Sequence, residues 1–168
     1  MSSIELVDWL LSYKSSQAEW LLKDGIVYAA MDGRIDVIEW LFFLRECKWM
    51  PEVCSAAARH GHLEVLKWAR EKGCPWDEET CSEAAASGNF EVLKWARENC
   101  CPWDKYTCSK AADGGYLEVL KWARENGCPW DKYTCSRAAH SGHLEVLKWA
   151  RENGCPWNEC TCAGAAGS

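Results

Sequence analysis

The chain has 168 residues, of which 48% are hydrophobic and 26% are charged, a composition typical of one folded globular domain and not of a disordered segment. Its formal net charge of −6, from 25 acidic and 19 basic residues, argues against a nucleic-acid-binding face, which needs an excess of positive charge. No apolar run approaches the roughly 20 residues of a transmembrane helix, and residues 1–14 lack the basic start and apolar core of a secretory signal.

The amino-terminal part of the chain contains two degenerate copies of a repeat. Residues 4–10 resemble the second helix of the units that follow, and residues 33–40 match residues 61–68, from Gly33 to Trp40. We therefore predict a degenerate or capping unit over residues 1–32 and a degenerate repeat over residues 33–60.

Four closely similar copies occupy the remainder of the chain. The string EVLKWARE begins at residues 64, 91, 118 and 145, always 27 residues after the preceding copy. Clear repeats are therefore predicted over residues 61–87, 88–114 and 115–141, and a last repeat over residues 142–168. Because self-similarity at a fixed period is the signature of stacked repeats, residues 1–168 are predicted to form a single repeat array.

The second helix of each unit is predicted from its apolar pattern. In the first clear copy it runs from about Leu63 to Lys72 and ends before Gly73, a residue type suited to a left-handed helix end. Its apolar positions cover about 220° of the helix surface, which is more than one helix–helix contact requires. This helix must therefore contact its own partner helix and the neighbouring units.

The first helix of each unit follows a Pro-Trp-Asp or Pro-Trp-Asn turn. A side-chain oxygen at the start of this helix is predicted to cap its free N–H groups at four positions, namely Asp77, Asp104, Asp131 and Asn158. The body of the helix is rich in alanine, cysteine and serine, which allow neighbouring backbones to approach closely. No strand-like alternation occurs, so the fold is predicted to be all-α.

These residues resemble the ankyrin repeat. Residues 61–67, with the sequence GHLEVLK, nearly copy the Gly-His-x-Glu-Val-Val-Lys core of that family, and the pattern recurs in register. The unit is shorter than the usual ankyrin repeat of about 33 residues, and residues 73–77 are too few for a β-hairpin finger. It also lacks the Thr-Pro-Leu-His opening, with Cys81 at the buried leucine position. The resemblance implies an ankyrin-like α-solenoid of stacked helix-turn-helix repeats without β-hairpin fingers.

The resemblance also implies roles for particular residues. Ankyrin repeats place histidine after the glycine that precedes the second helix, where it ties neighbouring loops together by hydrogen bonds. His62 and His143 match that position in this chain. Ankyrin-like proteins bind other proteins along the exposed side of the array, and the absence of fingers confines such a surface to the first helices and the short loops.

The twelve tryptophans recur mainly in two columns. Those of the second helices lie on its apolar arc and are predicted to be structural core residues, namely Trp68, Trp95, Trp122 and Trp149. Those of the loops are predicted to form a packed structural ridge, namely Trp76, Trp103, Trp130 and Trp157. A stacking platform for single-stranded nucleic acid or a proline-rich peptide is the alternative for the loop column.

The twelve cysteines also recur in columns, which begin with Cys74 and Cys81. Disulfides down a column are disfavoured because packed helices stand farther apart than a disulfide spans. The paired short spacings of zinc sites are missing, and His140 with His143 makes only a weak ligand pair. The interpretation favoured is a buried free thiol in a reducing, intracellular and cytoplasmic setting, without metal or cofactor. A Cys-rich metal-binding or redox-sensitive repeat protein is the alternative function.

No nucleophile–base pair, carboxylate pair or phosphate-binding loop occurs, so the chain is predicted not to be an enzyme. We predict a scaffold or adaptor that binds a partner protein, with no nucleic-acid or membrane role. The candidate binding residues are those that differ between equivalent positions of the first helices, namely Glu79, Glu83, Tyr106, Lys110, Asp113, Tyr133, Arg137 and His140. Glu83 is expected to behave as an ordinary surface residue. The last unit ends on an uncovered first helix, which indicates either a longer natural protein or self-association through that end.

Overall fold

A computed structural model of the protein describes residues 16–45 and 48–157, with side chains over residues 23–42 and 48–157. The described residues form ten α-helices and no strand, which confirms the all-α prediction. The helices are α1 (Ser16–Met31), α2 (Ile35–Arg45), α3 (Pro51–Arg59), α4 (Leu63–Glu71), α5 (Glu78–Ala86), α6 (Phe90–Glu98), α7 (Lys105–Asp113), α8 (Leu117–Glu125), α9 (Lys132–His140) and α10 (Leu144–Glu152).

Consecutive helices form hairpins, and the hairpins stack in a row. The odd-numbered first helices pack directly against one another, whereas each even-numbered second helix packs mainly on the first helix of its own hairpin. Small side chains line the contact between first helices, and Ala84, Ala85, Ala111 and Ala112 are fully buried there. The predicted solenoid of helix-turn-helix units is therefore confirmed.

The predicted caps fix the start of the first helices. The side chains of Asp77, Asp104 and Asp131 each accept a hydrogen bond from the backbone N–H two residues later, at Glu79, Tyr106 and Tyr133. These bonds satisfy N–H groups that the helix itself leaves free. The predicted cap Asn158 lies outside the described residues.

An arginine and two tryptophans brace each short connection in place of a finger. The Arg70 guanidinium donates to the backbone carbonyl of Cys74 and lies 4.1 Å from the centre of the Trp76 ring. Trp76 in turn packs edge-to-face on Trp95 of the next hairpin, with ring centres 5.9 Å apart. The same arrangement recurs twice, around Arg97, Trp103 and Trp122 and around Arg124, Trp130 and Trp149.

The tryptophans pack around the edge of the core and are not fully buried in it. Trp68, Trp95, Trp122 and Trp149 are half-buried, as are Trp76, Trp103 and Trp130, and all of these rings pack against the core. Trp157 is 52% exposed and is covered on one face by Arg151. Fully buried positions go to aliphatic residues such as Leu66, Leu93 and Leu120.

The cysteine after each second helix closes its hairpin. The Cys101 thiol donates to the carbonyl of Asp77, which is the residue that caps the first helix of the same hairpin. Equivalent bonds join Cys74 to Met50, Cys128 to Asp104 and Cys155 to Asp131, with sulfur–oxygen distances of 3.4–3.5 Å. These buried cysteines thus act as hydrogen-bond donors as well as small apolar side chains.

One helix end carries a strained residue. The second residues after the ends of α4 and α8 are Gly73 and Gly127, both with φ +83°, but the equivalent residue after α6 is Cys100, with φ 65°. A side chain in this left-handed region costs free energy that glycine does not.

Replacing Cys100 by glycine is expected to leave stability unchanged or raise it by up to about 1 kcal/mol. Urea unfolding followed by circular dichroism measures the change, and a loss above about 1 kcal/mol would contradict the left-handed assignment.

A column of buried threonines holds unpaired hydroxyl groups. Thr80, Thr107 and Thr134 are fully buried, and their hydroxyl oxygens find no hydrogen-bond partner among the described residues. The equivalent residue of α3 is Val53, which is also buried. The site thus accepts an apolar side chain of the same shape.

The Thr107→Val variant is expected to gain about 0.5–1 kcal/mol, because it removes a buried polar group that lacks a partner. Chemical denaturation of the two proteins tests this, and destabilisation by the valine would show that the hydroxyl is satisfied.

Some predicted features lie outside the described residues. They are the copy at residues 4–10, Cys47, Cys160 and Cys162, and the first helix predicted after Trp157. Within the described part of the chain, no helix is both long enough and apolar enough to cross a membrane.

Candidate functional site

The exposed face of the first helices brings most of the candidate residues together. Tyr106 and Tyr133 occupy equivalent positions of α7 and α9 and are 55% and 52% exposed. The Lys105 and Lys132 ammonium groups lie 5.7 and 5.5 Å from the centres of these rings. The equivalent position of α5 is the exposed Glu79. This row therefore changes from acidic to aromatic along the array.

Ion pairs between neighbouring units cross this face. The Glu83 carboxylate of α5 lies 3.1 Å from Arg59 of α3 and 2.5 Å from Lys110 of α7. Further along, Asp113 lies 3.5 Å from Arg137 and accepts a hydrogen bond of 2.8 Å from the Ser141 hydroxyl. Asp131 is paired in the same way with Lys105 at 3.1 Å. Each of these contacts joins one first helix to the next.

Glu83 is not the ordinary surface residue that the sequence suggested. Its exposure is 8%, and both of its carboxylate oxygens are bound by cations of neighbouring hairpins. Its variation between units suggested a surface position, but the close approach of α3 and α7 covers it. The expectation of an ordinary surface residue is therefore wrong, and a larger contribution to stability is expected.

The Glu83→Ala variant is expected to lose about 1–2 kcal/mol. Breaking a buried ion pair costs more than this, but Arg59 and Lys110 are partly exposed and regain water. Ala56 occupies the equivalent position of α3, so alanine fits there without a steric penalty. The matched control is Glu98→Ala at an exposed position of α6, with an expected loss below about 0.5 kcal/mol. Equal losses in urea unfolding would mean that the bridge contributes nothing.

The remaining candidates differ in accessibility. Arg137 and His140 are exposed, and Lys110 and Asp113 are half-buried. The groove between the starts of α5 and α7 has a volume of about 390 Å³ and is lined in part by Glu79, Tyr106 and Lys110. The structure thus brings these three candidates to one groove, while Asp113 and His140 lie at the opposite ends of their helices.

Side chains just before the second helices form a second set of contacts between units, and the sequence predicts only the histidine among them. The His62 imidazole lies 2.8 Å from the Met31 carbonyl of the preceding hairpin, as the ankyrin resemblance implies. Asn89 at the equivalent position donates to the carbonyls of Ala58 and Arg59. Histidine and asparagine therefore play the same role at this position, joining neighbouring hairpins, and the mixed residue types of the column do not reveal it.

Cysteine pairs form the second chemical feature. Cys54 lies in α3 and Cys74 follows α4, and their sulfur atoms are 3.5 Å apart. Equivalent contacts join Cys81 to Cys101 and Cys108 to Cys128. The neighbouring thiol and burial together raise the pKa of Cys54, Cys81 and Cys108 well above the ordinary value, so these thiols are protonated at neutral pH. Within the described residues, no group of three or more histidine, cysteine or acidic side chains is placed to hold a metal ion.

Comparison with solved structures finds an ankyrin repeat domain among the matches. The chain is similar to the ankyrin repeat domain of human ASB11, with a TM-score of 0.66 and 15% sequence identity over 85% of this chain and 77% of that one. No protein-family model and no curated protein sequence matches the chain. The described hairpins, their order and their stacking agree with this likeness. The chain therefore has an ankyrin-repeat fold, in which short braced turns stand where the β-hairpins of that fold usually project.

Proposed function

We propose that the protein is a non-catalytic protein-interaction module whose partner binds along the exposed face of the first helices. The observation that carries this proposal is the pair Tyr106 and Tyr133, two large side chains left more than half exposed on a rigid row of helices. Tyrosine is enriched among residues that dominate binding energy in protein interfaces. The ankyrin-repeat fold supports the same function, because repeat arrays present extended surfaces to other proteins.

The residues that differ between units are proposed to give this surface its specificity. Glu79, Tyr106 and Tyr133 occupy one row, and their side chains make few contacts within the array. By contrast, Glu83 and Lys110 are engaged with each other, so they are proposed to support the surface from below.

The double variant Tyr106→Ala/Tyr133→Ala tests this placement. Its backbone contacts are unchanged, so we expect normal folding and a loss of binding of about 100-fold toward any protein that the intact array captures. Leu144→Ala is the matched control, since Leu144 is 60% exposed on a second helix. Partners that bind the tyrosine variant as well as the intact protein would refute the proposed surface.

A redox-sensitive function is the second candidate, favoured by the 3.5 Å separation of the Cys54 and Cys74 sulfur atoms. Closing a disulfide requires the two sulfur atoms to approach by about 1.5 Å. With hydrogen peroxide as oxidant, two thiols and one peroxide would give one disulfide and two waters. The raised pKa of Cys54 keeps its thiol protonated, which makes this reaction slow in the folded state.

Mass spectrometry distinguishes the two candidates. Protein treated with hydrogen peroxide is expected, if this second function holds, to lose two hydrogen atoms per pair and to yield peptides that link Cys54 to Cys74. Oxidation confined to the exposed Cys100 would exclude it. Native mass spectrometry after reducing purification tests the metal-binding alternative. A metal-binding protein is expected to retain stoichiometric zinc, and the mass of the protein without metal would exclude this alternative.

A further inference from the structure

A groove made of two depressions crosses the amino-terminal half of the first-helix face, and one of the two is lined in part by aliphatic side chains. One depression of about 440 Å³ is lined by Val27 and Met31 of α1, by Ala56 of α3 and by acidic residues of α3 and α5. The neighbouring depression of about 390 Å³, between α5 and α7, ends at Tyr106. Glu79 lines both depressions, so the two are adjacent.

The exposed carboxylates of this groove differ from the carboxylates of the face that are paired with cations. Glu83, Asp113 and Asp131 each have a cation of a neighbouring unit within 4 Å. Glu52 and Glu79 are exposed, and neither has a lysine, arginine or histidine within that distance among the described residues. Glu78, which precedes Glu79, is also exposed and has no lysine, arginine or histidine within 4 Å among the described residues.

The cations that line the groove do not neutralise this rim. Arg59 and Lys110 both bind the Glu83 carboxylate, and His60 is the remaining basic side chain. Asp77 and Asp104, at the starts of α5 and α7, add two further carboxylates to the second depression. The groove therefore combines aliphatic side chains in its first depression with an excess of negative charge along both depressions.

We infer that this groove binds a basic, amphipathic peptide segment of a partner protein, whose lysine or arginine side chains meet Glu52, Glu78 and Glu79. This inference rests on the proposed function and adds the chemistry of the partner. The aliphatic stems of lysine and arginine cover apolar surface while their charged ends reach carboxylates at a rim. The exposed ring of Tyr106 offers a further contact to a cation at the end of the groove. Complementary charge then selects the partner and speeds its encounter.

Selection from a phage-displayed library of random 12-residue peptides on the immobilised whole chain tests this inference. Peptides enriched in lysine, arginine and aliphatic residues are the expected result. Their affinity is then measured for Glu52→Gln/Glu79→Gln, which removes two charges and keeps the side-chain shapes. We expect binding to weaken by at least about 10-fold.

The control variant is Glu98→Gln/Glu125→Gln, which makes the same change of net charge on the second helices. Both residues are exposed there and have no ion pair in the described part of the chain. Equal weakening by the two double variants would overturn the inference, because it would show attraction to net charge only. Circular dichroism of both variants checks that the helices are retained.

The Tyr106→Ala/Tyr133→Ala variant separates this inference from the proposed function. Selected peptides that are acidic or neutral but still need the tyrosines would overturn the partner chemistry and leave the proposed surface intact. Basic peptides that bind all variants equally would overturn both. Failure to enrich any peptide would also overturn the inference, since a groove of this kind has to hold a linear segment.

Discussion

Replacing Trp122 by alanine is expected to destabilise the array by about 3–4 kcal/mol. The ring packs edge-to-face on Trp103 of the preceding loop at 5.9 Å and on Phe90 of the preceding hairpin at 5.7 Å. The substitution thus removes two aromatic contacts and leaves a cavity between neighbouring units. The ring is half-buried, which places the expected loss toward the lower end of the range for tryptophan. The free energy of unfolding in urea, followed by far-ultraviolet circular dichroism, measures it.

Trp157→Ala is the matched control for this measurement. Trp157 is 52% exposed, and the Arg151 guanidinium lies 3.6 Å from the centre of its ring. Its loss is expected to cost less than about 1 kcal/mol. Equal effects of the two substitutions would mean that the second-helix tryptophans do not hold neighbouring hairpins together.

The Gly88→Ala variant is expected to lose about 2–3 kcal/mol. Gly88 has φ +70°, which alone costs an alanine about 1 kcal/mol. A Cβ atom there would also lie 2.5 Å from the ring of Tyr116 in the next hairpin. That ring cannot retreat freely, because it also lies against Gly114 on its other edge. The substitution therefore pushes two neighbouring units apart.

Gly127→Ala separates the two causes. Gly127 has φ +83° and no atom within 4 Å of the position of an added Cβ, so it reports the backbone cost alone, about 1 kcal/mol. Thermal unfolding of both variants is measured, and the difference between their losses of stability is the cost of the contact with Tyr116 in the next unit. If the two variants were equally stable, the Tyr116 ring would move aside without a loss of free energy, and the expected contact cost would be wrong.

Much of this fold followed from the repeat period. Four copies of one string at a fixed step of 27 residues required equivalent hairpins, and the wide apolar arc of residues such as Val65 and Trp68 required stacking. The caps at Asp77, Asp104 and Asp131 followed from their residue type and position. These are local features, and local sequence specifies them.

The features that the sequence did not reveal depend on distances between helices. Cys54 pairs with Cys74, twenty residues away, whereas the sequence columns drew attention to cysteines seven residues apart. The helical pattern does not show that the loop after α4 folds back under the Arg70 guanidinium. The burial of Glu83 likewise depends on how closely α3 and α7 approach.

The candidate binding residues do not share one environment, and their role in binding stays a prediction. The rule of choosing positions that differ between units selects Tyr106, Tyr133 and Glu79, which are exposed. The same rule included Glu83 and Lys110, whose variation reflects one ion pair that replaces Ala56 of the earlier unit. Variation between repeats thus marks both accessible residues and compensating pairs, and only the geometry separates them.

The bonds between hairpins have a consequence for how such a protein changes length. The contacts of Asn89 with Ala58, of Lys110 with Glu83 and of Trp122 with Phe90 all join a unit to the one immediately before it. Duplication or deletion of a whole unit in the gene therefore keeps the repeat register, so that equivalent positions of neighbouring units still meet. Loss or gain of any other number of residues would break several junctions at once, so array length is expected to evolve in whole steps while the end-to-end binding surface lengthens or shortens with it.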